Sequence, residues 1–484
     1  MAAKRRDQPA PQRIIDCVEA ACTKPFAEGL QVEQKLFFEL LTSKEARALQ
    51  HVFFSERGAA KIPGLKAKPA NIKKVALIGA GLMAGGIAMN FAERGMQVVM
   101  LDREQQFLDK GMAVIKANYD RSVKRGSKSQ AKVDKALSMF SLTTSYEDLR
   151  DVDLVIEAVF EDMVLKKEIF QKLDAVCKPG CILATNTSFL SIDEMAEVTK
   201  RPEDVIGMHF FSPANVMPLL ENVRGAKSSE RTIATAMAVG SRIGKWPVLV
   251  GNCHGFVANR MMANYGVEAR NMLIEGNWTF EQIDAVATKM GMPLGPFAMG
   301  DLTGLAIGVE ARKRNGTFDP ETVVQDWLVE QGRLGMKTNA GYYDYTKDRK
   351  RVPNKDVMAR VEQTRKKLGV TPRDMTEQEV FERLFYPVFN EGFKILEGGF
   401  AVRPADIDVV LVHGYNFPRV SGGPMHLADT IGLPAVLKSL QGYSEKNPGS
   451  AYFKPSQLLV DCVKADQPLA EFWAKKQQPA SSKL

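Results

Sequence analysis

The sequence predicts an α/β domain on a mostly parallel sheet, preceded by a helical extension and followed by two repeated all-α domains. Three observations carry this expectation. Short apolar runs alternate with helix-like stretches across residues 71–252, as in parallel strands joined by right-handed crossovers. A glycine-rich turn follows the first of these runs. Beyond Gly251 the strand signals fade, and one pattern of residues occurs twice.

Residues 1–70 read as helical. Thr42 and Glu45 have capping-box spacing, with Leu49, Val52 and Phe53 as the apolar stripe behind them. Pro63-Gly64 breaks the pattern, and a basic linker runs from Lys66 to Lys74. Within residues 71–252 the strands fall at Val75–Ile78, Val98–Leu101, Leu154–Ala158, Ile182–Ala184 and Val205–Phe210. Helices fall at Gly86–Arg94 and Leu165–Leu173, and a long basic helix-like stretch covers Gln105 to Met139. Two helical copies follow, at residues 253–352 and 353–484. Met272–Gly276 matches Lys394–Gly398, and Ile283-Asp284 matches Ile407-Asp408. Gly295-Pro296, Asp301 and Gly304-Leu305 match Gly423-Pro424, Asp429 and Gly432-Leu433 at one constant offset of 128.

Composition narrows the function classes. Hydrophobic residues make up 45% of the 484, which excludes a disordered chain. The net charge of +8 suits an anionic ligand such as a nucleotide or coenzyme A, and equally an ordinary soluble surface. No nucleic-acid partner is expected. The longest apolar run, Val75 to Met89, falls short of the ~18–20 residues of a membrane span and is rich in glycine. Met1 to Gln12 is charged and lacks the apolar core of a signal peptide. Cys177 and Cys181 have no second pair and no nearby histidine, so they read as buried or incidental thiols in a reducing compartment and no metal is expected.

Gly79-Ala80-Gly81-Leu82-Met83-Ala84 stands between a strand and a helix and has the dinucleotide-binding form G-x-G-x-x-G/A. Gly79 allows the tight turn, Gly81 lets a pyrophosphate approach the backbone, and Ala84 allows close helix–strand packing. Asp102 ends the next strand 21 residues after Gly81, where an acid receives a ribose 2′-hydroxyl. The domain therefore reads as a Rossmann-type fold, with NAD favoured as cofactor because the acid repels a 2′-phosphate, although the adjacent Arg103 keeps a 2′-phosphate open.

Only five histidines occur. His209 ends a strand, where open α/β sheets place their ligands, and Glu221 lies twelve residues on. This pair suits a base and the carboxylate that orients it; spacing alone allows a core histidine and an unrelated surface acid equally well. Asn186-Thr187-Ser188 follows another strand and reads either as a polar substrate contact or as an ordinary turn. Asn259 is as ambiguous.

Together these segments resemble the L-3-hydroxyacyl-CoA dehydrogenase family. The resemblance rests on Gly79–Met83, Ile156-Glu157-Ala158-Val159-Phe160-Glu161, Asn186–Ser188, His209–Pro213 and Val257–Arg260, met in that order. It covers roughly residues 71 to 460, and the doubled helical part is similar to the multifunctional enzymes of peroxisomal and bacterial fatty acid β-oxidation. Gly335–Thr338 and Gly341–Tyr343 match that group, and residues 26–65 look like the end of its hydratase portion and linker helix. Ala84 stands where the family usually has glycine, and Ser212 where its short members carry asparagine.

The resemblance implies oxidation of L-3-hydroxyacyl-CoA to 3-ketoacyl-CoA with NAD, in the cleft between the α/β domain and the first helical copy. It makes His209 the base and Glu221 its partner, with Ser188 and Asn259 on the reacting oxygen. Gly79, Gly81, Leu82, Met83, Ala84, Asp102, Glu161 and Asn186 fall on the cofactor, with Glu161 near the nicotinamide. Lys124, among the cations Lys116, Arg121, Arg125 and Lys128, falls on the coenzyme A end of the substrate, with a solvated surface helix as the alternative. The terminal Ser482-Lys483-Leu484 reads as a signal for the peroxisomal import receptor, with chance occurrence in a bacterial cytoplasmic protein as the alternative. The roughly 70 residues ahead of the dehydrogenase are too few for a hydratase core, so no hydratase activity is expected. Competing readings are a related enzyme acting on a short 3-hydroxy acid or a sugar acid, whose base is usually lysine, and a non-catalytic dinucleotide-binding fragment or scaffold.

Overall fold

The computed structural model describes residues 8–314 and 316–477. The terminal tripeptide Ser482-Lys483-Leu484 lies outside the described residues. The described residues begin with three helices, α1 (Ala10–Thr23), α2 (Phe26–Leu41) and α3 (Lys44–Ala59). The N-cap of α3 is Ser43, whose side chain accepts from the Ala46 N–H at 3.1 Å. Thr42, the expected cap, instead closes α2 by donating back to the Phe38 carbonyl at 2.9 Å.

The α/β domain contains β1 (Lys74–Ile78), α4 (Leu82–Ala92), β2 (Gln97–Leu101), α5 (Gln105–Lys124), α6 (Gln130–Leu137) and β3 (Phe140–Thr143). It continues through β4 (Leu154–Glu157), α7 (Met163–Val176), β5 (Ile182–Thr185), α8 (Ile192–Ala196) and β6 (Val205–Phe210). It ends with β7 (Leu219–Arg224), α9 (Glu230–Arg242) and β8 (Trp246–Gly251). The eight strands form one sheet in the order β3-β2-β1-β4-β5-β6-β7-β8, parallel throughout except at the β6–β7 pair. All five predicted strands are present. The predicted helix at Gly86 starts four residues earlier, at Leu82, directly after the glycine turn. The stretch Gln105–Met139 is two helices, broken around Gly126 at φ +68°, and β3 follows it unpredicted.

The helical region comprises α10 (Ala258–Glu275), α11 (Phe280–Lys289), α12 (Pro296–Thr303), α13 (Ala306–Arg314) and α14 (Val324–Glu330). A short hairpin, β9 (Tyr343–Tyr345) and β10 (Arg351–Pro353), precedes α15 (Lys355–Leu368) and α16 (Glu377–Glu397). The described residues end with α17 (Pro404–Gly414), α18 (Pro424–Ile431), α19 (Leu433–Lys446), α20 (Gln457–Lys464) and α21 (Leu469–Gln477). The repeat is physical. Buried Asp284 on α11 accepts from the Phe297 and Ala298 N–H groups at the start of α12, at 2.9 and 3.0 Å. Buried Asp408 on α17 likewise accepts from the Met425 N–H that opens α18, at 2.7 Å. Each aspartate neutralises the free donors of the next helix N-terminus. Gly304 and Gly432 share one backbone conformation, φ +101° and +106°.

Helices α10 and α16 pack against each other between the copies. Arg383 on α16 is buried there and bridges Glu268 and Glu275 on α10, both at 2.7 Å. Helix α15, placed by the sequence in the second copy, packs on α10 and α14 of the first. Its Arg365 donates to the Leu273 and Ile274 carbonyls at the end of α10.

A Cβ on Gly295 would lie 2.3 Å from the Asp284 Cα, and one on Gly423 would lie 2.4 Å from the Asp408 Cβ. We therefore expect Gly295→Ala and Gly423→Ala each to destabilise the protein by about 1–3 kcal/mol in denaturant titration. Gly442→Ala is the control. It lies inside α19 with nothing within 4 Å of a new Cβ, so it should be neutral or stabilising by about 0.5–1 kcal/mol.

Candidate active site

The functional side chains gather at the carboxyl ends of β4, β5 and β6. Strand β6 carries His209 and β7 runs back beside it, with register pairing His209 directly to Glu221. Both side chains are buried, and His209 Nδ1 lies 2.8 Å from Glu221 Oε2. The other oxygen, Oε1, accepts from the Val257 and Ala258 N–H groups at 3.2 and 2.9 Å, where α10 begins. An ionised carboxylate only accepts, so Nδ1 carries the ring proton and Nε2 presents its lone pair. Ser188 Oγ meets that Nε2 at 3.2 Å.

The Ser188 turn is held by an acid. Glu161 Oε1 accepts from Thr187 Oγ1 at 2.5 Å and from the Ser188 N–H at 2.9 Å. Asn186 Oδ1 accepts from the Phe210 N–H at 2.8 Å and ties the end of β5 to the end of β6. Beneath them lies a buried ion pair that the sequence did not single out as one. Glu157 accepts from Lys166 Nζ at 2.7 and 2.8 Å, from Thr185 Oγ1 at 2.7 Å and from the Val159 N–H at 2.7 Å. A second buried lysine, Lys245, donates to the Ala214 and Met217 carbonyls at 2.6 and 2.8 Å and pins the β6–β7 connection. Burial pushes its pKa down to about 8.

His209, Ser188, Asn186, Asn259 and Met83 line one cavity of about 640 Å³. Its walls come from the α/β domain and the first helical copy, as expected. The second copy adds Tyr415, which sequence reasoning missed. Tyr415 Oη donates to Asn259 Oδ1 at 2.8 Å, leaving the Asn259 Nδ2 donors to the cavity. Burial holds the Tyr415 hydroxyl well above its ordinary pKa, so it remains a donor. Tyr415 lies 156 residues from its partner, beyond the reach of any local motif.

The glycine turn fits a dinucleotide. Gly79 has φ +102°, and a Cβ there would press to 3.0 Å on the Ala158 carbonyl oxygen. A Cβ on Gly81 would meet nothing within 4 Å, so the space before the N-terminus of α4 is open. Ala84 is fully buried and Leu82 is exposed. Asp102 Oδ2 accepts from the Ala80 N–H at 2.8 Å, which fixes the acid beside the turn and leaves it lone pairs for a ribose. Lys124 is not brought to the cavity; it is exposed at the end of α5. Near it, Arg94, Lys128, Lys132 and Lys135 border a separate basic hollow.

A parallel-stranded dinucleotide fold with a histidine–carboxylate pair at its carboxyl edge defines an NAD-dependent dehydrogenase. The sequence matches the 3-hydroxyacyl-CoA dehydrogenase NAD-binding domain over residues 74–253, and the C-terminal domain of the same family twice, over 255–345 and 380–470. It is 41% identical to a peroxisomal bifunctional enzyme of Danio rerio, over 97% of this chain and 68% of that one. With the Homo sapiens protein of that name it shares 39% identity, over 99% of this chain and 70% of that one. Among solved structures it is similar to the dehydrogenase part of multifunctional enzyme 1 from C. elegans, with a TM-score of 0.64 and 29% identity over 85% of this chain and 96% of that one. A 3-hydroxybutyryl-CoA dehydrogenase from Escherichia coli superposes with a TM-score of 0.69 at 26% identity, over 82% of this chain and 99% of that one. The chain belongs to the 3-hydroxyacyl-CoA dehydrogenase family.

Proposed function

We propose that His209 is the base with which this NAD-dependent enzyme oxidises (3S)-3-hydroxyacyl-CoA to 3-ketoacyl-CoA in fatty acid β-oxidation. The observation that carries this reading is the chain of hydrogen bonds from Ser188 through His209 to Glu221, opening on the cavity. Bound NAD supplies the hydride acceptor. The protein's part is to remove and hold a proton. His209 Nε2 takes it from the substrate 3-hydroxyl, and the Glu221 carboxylate stabilises the imidazolium that results. Ser188 Oγ and Asn259 Nδ2 donate to the substrate oxygen and hold it in place. Glu161 fixes the Ser188 turn and stands on the nicotinamide side, while Gly79–Ala84 and Asp102 hold the pyrophosphate and the adenosine ribose. The basic residues around Lys124 take the anionic end of coenzyme A. A peroxisomal location is supported by the names of the relatives and by the sequence Ser482-Lys483-Leu484, read by the import receptor.

The central test is reduction of acetoacetyl-CoA followed by NADH absorbance. His209→Gln should lower kcat by ~10²–10⁴ with NADH affinity nearly unchanged. Glu221→Gln should lower kcat too, and the double variant should cost less than the sum, because the pair acts as one unit. A His209→Gln enzyme of near-normal kcat removes the proposal. Reversing charge with Lys124→Glu and Arg125→Glu should raise KM for acetoacetyl-CoA and barely change KM for NADH; an unchanged thioester KM makes Lys124 a surface cation only. Finally, a fluorescent fusion bearing the intact C-terminus should collect in peroxisomes and become cytosolic without the last three residues. Continued import of the truncated fusion would discard the tripeptide as the signal.

A further inference from the structure

The basic hollow beside α6 has a volume of about 570 Å³, within the ~300–1,000 Å³ range of small-molecule sites. Arg94, Lys128, Lys132 and Lys135 border it, with Glu93 as its one acid. Glu93 is spent on Lys128 Nζ, at 2.7 Å. Arg94, Lys132 and Lys135 are exposed, and among the described residues they make no ion pair. Lys132 and Lys135 stand three apart on α6 and so share a face. Asp134, between them, accepts from Gln130 at 2.8 Å and does not border the hollow. Arg94 follows the end of α4, and its Nη2 lies 2.8 Å from where a Gly244 Cβ would stand, so its guanidinium folds over the turn ahead of β8. Four cations thus face one space that holds a single acid.

A second observation points to a ligand. Tyr119 on α5 borders the same hollow and is fully buried, yet its hydroxyl has no hydrogen-bond partner. Burial, and then the Glu93 carboxylate, hold its pKa above the ordinary value, so it remains a donor. A buried donor without an acceptor is costly. An anion in the hollow supplies that acceptor and neutralises the cations around it. There is room to approach the backbone, since a Cβ on Gly95 would meet nothing within 4 Å. The hollow is also remote from the reacting centre. From the glycine turn, α4 rises about 15 Å to reach it. Gly95 leads into the first residue of β2, and α6 leads into β3, so it sits at the amino edge of the sheet. His209 stands at the opposite, carboxyl edge.

We infer that this hollow is a second anion site, separate from those for NAD and the thioester, and that it binds a chain of two or more linked phosphates. Cations on three separate segments are spread too widely for one phosphate group and suit several in a row. The Arg94 fork takes two oxygens of one phosphate, Lys132 and Lys135 pair with its neighbours, and the Tyr119 hydroxyl donates to an oxygen at the floor. A free nucleoside triphosphate and inorganic polyphosphate both carry this chemistry.

The test is calorimetric titration of the full chain held in saturating NAD and acetoacetyl-CoA. Both are oxidised, so no hydride passes and both established sites stay filled. ATP and tripolyphosphate should each bind once per chain, and inorganic phosphate at least about tenfold more weakly. Tighter binding of ATP identifies a nucleotide as the ligand, and equal affinities identify the phosphate chain alone; either result supports the site. Lys132→Glu combined with Lys135→Glu should weaken both ligands by about tenfold or more, with kcat and KM for acetoacetyl-CoA and NADH unchanged. Tyr119→Phe should weaken them about three- to tenfold, while Tm without ligand stays equal or rises, because the change removes an unpaired buried hydroxyl. No binding of ATP or tripolyphosphate with both established sites filled overturns the proposal. So does undiminished binding in either variant. A raised KM for acetoacetyl-CoA in the Lys132→Glu, Lys135→Glu enzyme also overturns it, since that assigns the hollow to coenzyme A.

Discussion

The structure turns on one buried carboxylate. Glu221 has no exposed surface, and its ligands come from two other elements, the imidazole on β6 and the first N–H groups of α10. A carboxylate buried alone is strongly disfavoured. Here the donors that a helix leaves free at its N-terminus replace the lost water, aided by the positive end of the helix dipole. The same anion therefore fixes the histidine ring and the angle at which the helical region leaves the sheet. Helix α10 carries the first copy and, through Arg383, holds the second, so both helical walls of the cavity are referenced to the atom pair beside His209.

This arrangement needs the reversal at β7. With a sixth parallel strand followed by another crossover helix, residue 221 has no reason to stand opposite residue 209. The antiparallel return puts them in register, side by side on one face, where cross-strand neighbours lie within reach. Lys245 makes the return tight. Its ammonium holds two carbonyls of the connection although burial works against the charge. Further along the edge, β7 pairs with β8, which leads directly into Cys253 and the start of α10.

Much of this was legible in the residues, for a physical reason. Buried parallel strands must be apolar and short, and a phosphate-binding turn must contain Gly79 and Gly81, so both leave local marks. The repeat left marks because Asp284, Gly295 and Gly304 are each dictated by backbone geometry, and the second copy needs the same atoms. What escaped depends on long-range pairing. A spacing of twelve residues does not reveal the register of His209 and Glu221, and β3 is a half-exposed edge with no clean alternation. The cap of α3 was misplaced by one residue because Thr42 and Ser43 are both good caps, and the end of α2 claims the first of them. Glu157 and Lys166, and Tyr415 and Asn259, owe their character to what the fold places beside them. The family resemblance supplied roles for His209, Ser188 and Asn259, where chemistry alone left each open.

The two copies are alike in backbone and unlike in what completes them, and this difference accounts for the helical extension. In the first copy Asp284 accepts a third hydrogen bond, 2.8 Å from Tyr343 Oη on the β9–β10 hairpin. In the second, the equivalent oxygen of Asp408 lies 2.8 Å from His51 Nε2, which belongs to α3. The His51 ring stacks on His426, the second residue of α18 after Pro424, at 4.5 Å. Five residues along α3, Glu56 meets His413 and Arg419 of the same copy at 2.7 and 2.5 Å. Arg403 closes the contact by donating to the Gly58 carbonyl at 2.8 Å. A buried aspartate that caps a helix needs its remaining lone pairs met. The hairpin meets them in one copy and the leading helix in the other. The extension is thereby a structural part of the second copy, and the second copy in turn delivers Tyr415 to Asn259 at the cavity wall.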